Sequence, residues 1–246
     1  MHSVEEIRDY WDADADTYDR SSSHYPGTAL QRSAWRGALA SLLPHVSTQR
    51  VLDVGAGTGF LSLLLSQMGH DVTAVDLSSG MLQRLESKAA AEGCPVAVVR
   101  ADATEVPPGP FDVVASRHLL WLLPDPVAAL RAWRVAAPAG RLVLVDSQWG
   151  SSADRAEKLR RAGRQALSRW RQTPPPHHAE FGVHLRADLP FGHGPSPAEL
   201  IDAVQAAGWA APRLHRLSDV EWAMRDELDW PEWMLGVTPR FAVIAG

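Results

Sequence analysis

The segment from Val51 to Phe60 constrains the fold of this chain more than any other. Its sequence is Val-Leu-Asp-Val-Gly-Ala-Gly-Thr-Gly-Phe, in which an apolar run broken only by Asp53 predicts a buried parallel strand. Three glycines at alternate positions follow, and residues without a Cβ atom allow a sharp turn and the close approach of a ligand. The apolar run after Phe60 predicts a helix whose first N–H groups face the same space. The segment therefore predicts a crevice for a nucleotide or a nucleoside.

Composition and charge narrow the class of protein. The length of 246 residues suits one large α/β domain, or a domain with an appended cap. The formal net charge of −5 predicts no nucleic-acid partner, because the chain has no overall basic field. The single cysteine, Cys94, excludes an internal disulfide and a cysteine-rich metal site, as expected in a reducing cytoplasm.

The sequence shows no targeting or membrane signal. Residues 1–6 lack the basic and apolar regions of a signal peptide. Apolar runs such as Leu119 to Leu123 are too short to cross a bilayer. We therefore expect a cytoplasmic chain with no membrane partner.

Strands and helices are predicted to alternate through the middle of the chain. Apolar runs predict strands at 50–54, 71–76, 95–100, 111–116 and 141–146. Helical periodicity predicts helices at 60–68, 78–92 and 126–137. Such alternation is typical of right-handed βαβ units and of a parallel sheet that is covered on both faces.

The segments on either side of this core follow other patterns. Two amphipathic helices are predicted near the N-terminus, and a basic helix at 152–171 precedes a histidine-rich loop that reaches Gly194. A further helix begins after Ser196, and two closing strands are predicted at 212–222 and 240–245. We divide the chain into a helical cap (1–45), a core (46–150), an insertion that forms a substrate lid (151–195) and a return to the sheet (196–246).

Two acidic residues bear on which nucleoside binds. Asp76 ends the second strand, 17 residues past Gly59, where a carboxylate can accept hydrogen bonds from both ribose hydroxyls. Asp102 ends the third strand, where its carboxylate can accept from an adenine amine and the N–H of Ala103 can donate to a ring nitrogen. A dinucleotide site normally has the spacing G-x-G-x-x-G, whereas here the third glycine comes one residue early and Phe60 follows.

The glycine turn, Asp76, Asp102 and the Phe-Asp-Val-Val segment at 111–114 together resemble the class I S-adenosylmethionine-dependent methyltransferases. The chain is similar to their small-molecule branch, which includes the ubiquinone and menaquinone type. Residues 11–19 match the W-x-x-x-A-x-x-Y-D pattern of many members, and Ala139 departs from their usual Pro-Gly-Gly before strand five. The resemblance covers roughly residues 10–150 and implies a Rossmann-like α/β fold, whose seven-stranded, mostly parallel sheet has an antiparallel last strand.

The resemblance also implies a cofactor, S-adenosylmethionine, and a set of residues around it. It places Asp76 on the ribose, Asp102 and Ala103 on the adenine edge, and Tyr18 as a lid, although Tyr18 could also be a packed aromatic. Met81 is assigned to the adenine, with core packing as the alternative. The complete cofactor set is Tyr18, Asp53, Gly55, Ala56, Gly57, Gly59, Asp76, Leu77, Met81, Asp102, Ala103 and Arg117.

Methyl transfer requires an acceptor in line with the methyl–sulfur bond, and a base where the acceptor loses a proton. His118 follows strand four at the edge of the sheet that holds the site and is the candidate base, with a packing role as the alternative. Four residues are expected to line an aromatic acceptor pocket: His24, Tyr25, Trp121 and Trp149.

Two other patterns are interpreted conservatively. His177, His178, His184 and His193 lack the spacing of a metal site, so we expect a flexible loop and no metal. The basic helix at 152–171 could bind an acidic substrate or another subunit in a homo-oligomer, but a solvated face is the commoner explanation.

The sequence thus predicts a methyltransferase that acts on an O, N or C atom of a small molecule, such as a secondary metabolite or a quinone. Two alternatives stay open: an NAD(P)-dependent oxidoreductase with a Rossmann fold, and a binding protein that kept the fold without catalysis.

Overall fold

The computed structural model describes residues 4–21, 23–44, 48–150, 154–173, 177–179 and 181–246. Their strands are β1 Arg50–Val54, β2 Asp71–Asp76, β3 Ala97–Arg100, β4 Val113–Arg117, β5 Arg141–Ser147, β6 Arg213–Arg216 and β7 Arg240–Ala245. Their helices are α1 Val4–Asp14, α2 Ala29–Leu42, α3 Phe60–Gln67, α4 Ser79–Glu92, α5 Pro126–Ala136, α6 Arg155–Trp170, α7 Val183–Ala187, α8 Pro197–Ala206, α9 Ser218–Asp226 and α10 Trp230–Leu235. No helix in these described ranges is long and apolar enough to cross a membrane.

The strands form one seven-stranded sheet in the order β3-β2-β1-β4-β5-β7-β6. Strands β1 to β5 pair in parallel, and β7 runs antiparallel to both of its neighbours, β5 and β6. The order reverses at β1, so the carboxyl ends of β1 and β4 border the crevice where ligands bind in open α/β sheets. The predicted Rossmann-like sheet with its antiparallel last strand is confirmed.

Helices cover both faces of the sheet, as the alternation of side chains along β1 requires. Leu52 and Val54 belong to a buried cluster with Trp133 of α5 and with residues of α8. Val51 points to the other face, where it belongs to a cluster with Trp35 of α2 and with residues of α3 and α9. Because successive residues of a strand face opposite sides, the apolar run of β1 is buried on both faces.

The turn after β1 is held by backbone hydrogen bonds to the neighbouring strand. The N–H groups of Gly55 and Ala56 both donate to the carbonyl of Val75, at 2.8 and 3.0 Å. Gly59 then adopts the left-handed conformation, with φ of 94°, at the N-cap of α3. The turn therefore depends on backbone conformations that only glycine adopts without strain.

The C-terminal part of the chain differs from its prediction. The closing strand predicted at 212–222 is wrong beyond Arg216, because helix α9 follows almost at once. Val220, Ala223 and Met224 of α9 are buried, and this i, i+3, i+4 spacing is the helical period that the strand assignment overlooked. The short helices α7 and α10 were not predicted either.

Gly59 provides a test of the turn, with Gly69 as a matched control. Both glycines are left-handed, with φ of 94° and 89°. A Cβ atom at Gly59 would lie 2.8 Å from Cγ of Leu85, whereas nothing lies within 4 Å of a Cβ at Gly69. We expect Gly69→Ala to lower the free energy of unfolding by about 1–2 kcal/mol, the cost of the left-handed conformation. Gly59→Ala should lower the free energy of unfolding by about 1–3 kcal/mol more than Gly69→Ala does, because its Cβ atom overpacks against Leu85.

Urea unfolding followed by circular dichroism measures both effects. Equal losses of unfolding free energy in the two variants would contradict the contact between the turn and α4.

Candidate functional site

Two cavities meet at the carboxyl edge of the sheet. The first, here called the inner pocket, lies between α1, the glycine turn and the ends of β2, β3 and β4. The second, the outer cavity, has a volume of about 980 Å³ and extends from β4 and β5 to α6. Four side chains line both: Trp11, Tyr18, Arg117 and His118. The two spaces therefore adjoin at these residues.

The inner pocket collects most of the predicted cofactor residues. Those that line it are Tyr18, Gly55, Gly57, Asp76, Leu77, Met81, Asp102, Ala103 and Arg117. Asp53 and Ala56 lie beneath, around a small space that adjoins the glycine turn. Gly59 lines neither space, because its Cβ position faces Leu63 and Leu85 between α3 and α4. Its role in this structure is to let the two helices pack closely.

The carboxylate of Asp76 joins the glycine turn to the start of α4. Oδ2 accepts from the N–H of Gly57 at 2.8 Å, and Oδ1 accepts from the N–H of Ser78 at 2.9 Å. Burial raises the pKa of Asp76, and these backbone donors oppose the rise. Each carboxylate oxygen has a further lone pair, so Asp76 can still accept from the hydroxyls of a ribose.

Asp102 is oriented by the residue two positions further on. Its Oδ1 accepts from the N–H of Thr104 at 2.8 Å and from the Thr104 hydroxyl at 2.6 Å. Trp133 donates from Nε1 to the carbonyl of Ala103 at 2.7 Å, which fixes the peptide group between Ala103 and Thr104. The edge that the sequence assigns to adenine is thus held in place by its neighbours.

Asp53 lies below the turn with only 1% of its surface exposed. The hydroxyl of Ser62 donates to its Oδ2 at 2.5 Å. Burial raises the pKa of Asp53 to about 7, although Ser62 opposes the shift. Nearby Asp76 raises this pKa further. A cation bound above the turn would stabilise both carboxylates, so the residues present fit a ligand with ammonium and sulfonium groups.

The cap roofs the junction of the two cavities with stacked rings. The rings of Tyr18 and His24 lie 4.1 Å apart and are nearly parallel, and the edge of Trp11 meets Tyr18 at 5.8 Å. His24 donates from Nδ1 to the carbonyl of Tyr18 at 2.7 Å. Burial lowers the pKa of His24 to about 3, so this ring is neutral at physiological pH.

Two aspartates that the sequence analysis missed tie the cap to the core. Asp12 accepts from the hydroxyl of Ser78 at 2.6 Å and from the N–H of Gly80 at 2.8 Å. Asp19 pairs with Lys88 at 2.7 Å and accepts from the hydroxyl of Thr58 at 2.6 Å. Both lie within the W-x-x-x-A-x-x-Y-D pattern, so that pattern was the available signal.

Tyr25 is not brought to the predicted acceptor pocket. Its hydroxyl donates to Glu92 at 3.0 Å, and the ammonium of Lys88 lies 4.7 Å from the centre of its ring. The side chain lines neither cavity. Contacts with α4 account for its position, which is apart from the other residues predicted for the acceptor.

His118 carries the features of a positioned base. Its Nδ1 lies 2.8 Å from Oδ1 of Asp146, and because a carboxylate only accepts, Nδ1 carries the proton. Burial lowers the pKa of His118, and the nearby Asp146 opposes the shift only in part. The neutral ring therefore has its lone pair on Nε2. His118 also adopts φ of 54°, a left-handed conformation that is rare for residues other than glycine.

Arg117 occupies the same junction in an unusual environment. Its guanidinium lies 3.9 Å from the centre of the Phe60 ring and donates to the carbonyl of Ser23. Burial lowers its pKa, and no carboxylate in the described parts of the chain forms an ion pair with it. Arg117 adds positive charge where the two cavities meet.

Aromatic and basic side chains share the outer cavity. The predicted residues His24, Trp121 and Trp149 line it, and the two indole rings meet edge to face at 5.2 Å. Arg186 lies over both rings, at 5.3 and 5.6 Å from their centres. The acceptor residues predicted from sequence are thus brought together here, with the exception of Tyr25.

A buried carboxylate connects the cap to the insertion. Asp14, at the end of α1, has no exposed surface. Its oxygens pair with Nδ1 of His177 at 2.7 Å and accept from the N–H of His178 at the same distance. Burial alone would raise the pKa of Asp14, but these bonds and one from Thr17 bring the pKa well below its usual range.

The histidine-rich segment therefore contributes to a specific contact rather than to a loop alone. The side chain of His184 lies outside the part that the structure describes. Among the described residues, no group of three or more histidine, cysteine, aspartate or glutamate side chains is arranged to hold a metal ion.

Known proteins with similar sequences and folds share this architecture. Residues 52–144 match a family model described as a methyltransferase domain. A demethylmenaquinone methyltransferase of Mycolicibacterium paratuberculosis is 33% identical over 75% of this chain and 77% of that protein. A ubiquinone biosynthesis O-methyltransferase of Pseudomonas aeruginosa is 35% identical over 39% of this chain and 43% of its own length.

The crystal structure of a SAM-dependent methyltransferase from Aquifex aeolicus superposes with a TM-score of 0.56 at 18% identity, over 85% of this chain and 88% of that chain. This likeness shows the fold alone. The family follows from the sequence relatives, since the Mycolicibacterium protein is similar over most of its length. On that ground the chain belongs to the class I S-adenosylmethionine-dependent methyltransferases that act on small molecules.

Proposed function

We propose that this enzyme transfers the methyl group at the junction of the inner pocket and the outer cavity, to an O, N or C nucleophile. The observation that carries this proposal is the set of side chains common to both spaces. An acceptor in the outer cavity can approach a methyl group in the inner pocket in line, without crossing solvent. Positioning of this kind supplies most of what methyl transfer requires.

The inner pocket holds the cofactor in this proposal. When bound there, S-adenosylmethionine supplies an electrophilic methyl group on a sulfonium centre. Asp76 accepts from the ribose hydroxyls, and Asp102 accepts from the exocyclic amine of adenine. Met81 and Leu77 pack beside the base, and Tyr18 covers the methionyl end. Asp53 contributes negative charge beneath the turn, which attracts the positively charged groups of the ligand.

His118 acts as the base where the acceptor loses a proton. Asp146 holds Nδ1 protonated, so Nε2 is available to accept a proton from a hydroxyl or an ammonium group. The carboxylate also stabilises the imidazolium that forms. The relatives, named for demethylmenaquinone methylation and ubiquinone biosynthesis, support a ring of the quinone type as acceptor, and Trp121 and Trp149 provide aromatic surface for it.

The sequence leaves two alternatives open, an oxidoreductase and a binding protein without catalysis. The family match gives no support to an NAD(P)-dependent oxidoreductase. A binding protein without catalysis differs in one measurable respect, since it would bind S-adenosylhomocysteine but never form it from S-adenosylmethionine with any acceptor. Formation of S-adenosylhomocysteine with a panel of hydroxynaphthalenes and quinols tests this alternative.

The role of Asp76 is tested by Asp76→Asn, which keeps one oxygen as an acceptor for Gly57 or Ser78 but removes the charge. Hydrogen bonds to a charged group contribute about 1.5–3 kcal/mol, so we expect S-adenosylhomocysteine to bind about 10- to 100-fold more weakly. Isothermal titration calorimetry measures the affinity. Asp71→Asn, at the exposed start of the same strand, is the control and should leave the affinity unchanged. Unchanged affinity in Asp76→Asn would refute the ribose assignment.

The role of His118 is tested by His118→Asn, because asparagine tolerates the left-handed conformation of this position. If the ring is a base, turnover should fall by about 10²- to 10⁴-fold while S-adenosylhomocysteine affinity stays within twofold of wild type, about the error of the measurement. The control is His70→Asn, which changes a buried histidine just before β2 and should leave turnover unchanged. Wild-type turnover in His118→Asn would leave His118 with a packing role.

The pH dependence provides a separate test of the pair. His118 must be neutral to act, and its pKa is lowered, so kcat should be flat above pH 6.5 and fall only at lower pH. Asp146 raises this pKa, so Asp146→Asn should move the acid limb to still lower pH and reduce the plateau. Measurement at saturating cofactor removes the titration of Asp53 in the free enzyme. If the acid limb of the pH profile does not move in Asp146→Asn, it reports the titration of a group other than His118.

A further inference from the structure

We infer that the acceptor carries an anionic group, a carboxylate or a phosphate, which binds to the arginines of α6 in the outer cavity. The inference deepens the proposed function, on which it rests, by naming the chemical class of the acceptor. It starts from the charge of the cavity wall. Six arginines line the cavity: Arg117, Arg161, Arg164, Arg169, Arg186 and Arg240.

This positive charge is local. The chain as a whole has a net charge of −5, yet Glu157 is the one carboxylate among the described residues that line the outer cavity. Glu157 is buried and pairs with Arg164, which also donates to the carbonyls of Leu235 and Gly236 at 3.0 Å. The negative charge of Glu157 is thereby taken up, and Arg164 serves to hold α6 against α10.

The remaining arginines leave the wall positively charged. Arg161 and Arg169 are exposed to the cavity, and neither forms an ion pair with a carboxylate in the described ranges. Arg240 is buried, and its Nε lacks a hydrogen-bond partner among the described residues. The Nε of Arg117 likewise lacks a hydrogen-bond partner among the described residues. Guanidinium groups without an ion-pair partner in the described ranges, such as those of Arg161 and Arg169, attract an anion more strongly at a partly enclosed wall than they would in water.

The orientation of α6 argues against a face that is charged only for solubility. Arg161, Gln165 and Arg169 are spaced by four residues, so they lie on one side of the helix, and that side faces the cavity. Leu159 and Trp170 lie elsewhere on the helix, with 75% and 80% of their surfaces exposed. A helix that is merely solvated turns its charges outward and its apolar residues inward. Here the arginines line a cavity while large apolar side chains face solvent.

The type of side chain specifies the ligand further. A guanidinium forms two parallel hydrogen bonds with a carboxylate or a phosphate, and stacks on flat groups. Trp121 and Trp149 line the same cavity as His118 and offer aromatic surface there. The wall therefore suits a molecule with a planar ring near His118 and an anionic group on the α6 side.

The test compares three probes that share one ring: naphthalene-2-carboxylate, 2-naphthyl phosphate and the neutral naphthalene-2-carboxamide. Calorimetry on the full chain, saturated with S-adenosylhomocysteine, measures their affinities. Charged hydrogen bonds predict that at least one anion binds about 10-fold or more tightly than the amide. The tighter anion identifies the acceptor as a carboxylic acid or as a phosphate ester. Equal affinities, or no binding of either anion, would overturn the inference.

Variants of α6 locate the effect. Arg161→Gln with Arg169→Gln should remove most of the preference for the anion, to within about threefold of the amide. The control is Arg155→Gln with Lys158→Gln, which removes the same charge from residues of α6 that do not line the cavity. A preference that survives the first pair, or falls equally with the second, would contradict a site at these arginines.

The outcome is separable from the proposed function. Binding of S-adenosylhomocysteine is measured in every variant and reports the inner pocket alone. Loss of the anion preference with intact S-adenosylhomocysteine affinity would place the anion at α6. Failure of S-adenosylhomocysteine to bind the wild type would instead refute the proposed function.

Discussion

The hydrogen bonds of the Asp76 carboxylate are the interaction on which the inner pocket depends. They connect the glycine turn after β1 to the first turn of α4, two segments that the sheet brings side by side but does not join. An acidic group so placed lies near the buried Asp53, whose pKa it raises, and the nearby guanidinium of Arg117 offsets this charge only in part. Two buried carboxylates this close together favour a ligand that carries positive charge. In the proposed function, the sulfonium and ammonium groups of S-adenosylmethionine supply that positive charge.

The sequence predicted the inner pocket well because its information is local. Each strand of the core is an apolar run, and the residue predicted for the cofactor lies at or just past its carboxyl end, as Asp76 and Asp102 do. Strand order then brings these ends together without further information. The prediction was wrong where the strand period and the helix period compete over a short span. In β6 and α9, a four-residue strand is followed almost at once by a helix. Gly59 belongs to the same motif as Gly57, yet its neighbours in α4 give it a packing role that spacing does not reveal.

The outer cavity was harder to predict because it is assembled from distant segments. Tyr25 and His24 are adjacent in sequence, but one side chain turns to α4 and the other to the cavity. The composition of α6 was evident from its many arginines, whereas the direction in which they point depends on how the helix packs against α10. The contact between Asp14 and the histidines joins residues 163 positions apart, and no local pattern announces it. The pair of His118 and Asp146 is an intermediate case for prediction. His118 directly follows β4, which the sequence reveals, but its partner Asp146 lies in β5.

The pairing of Asp14 with His177 and His178 has a consequence for how enzymes with this architecture diversify. This buried acid in the cap is one of the contacts that anchor the insertion, together with the hydroxyl of Tyr10, which donates to the carbonyl of Ala179. Other parts of the insertion can change in length or charge without altering the residues assigned to the cofactor. If α6 selects the acceptor as inferred above, its replacement by a helix of other character would redirect the enzyme to new metabolites, provided that a donor remains for Asp14. Acceptor selectivity and cofactor chemistry are, in this proposal, separable parts of one polypeptide that are held together by the contacts between the cap and the insertion.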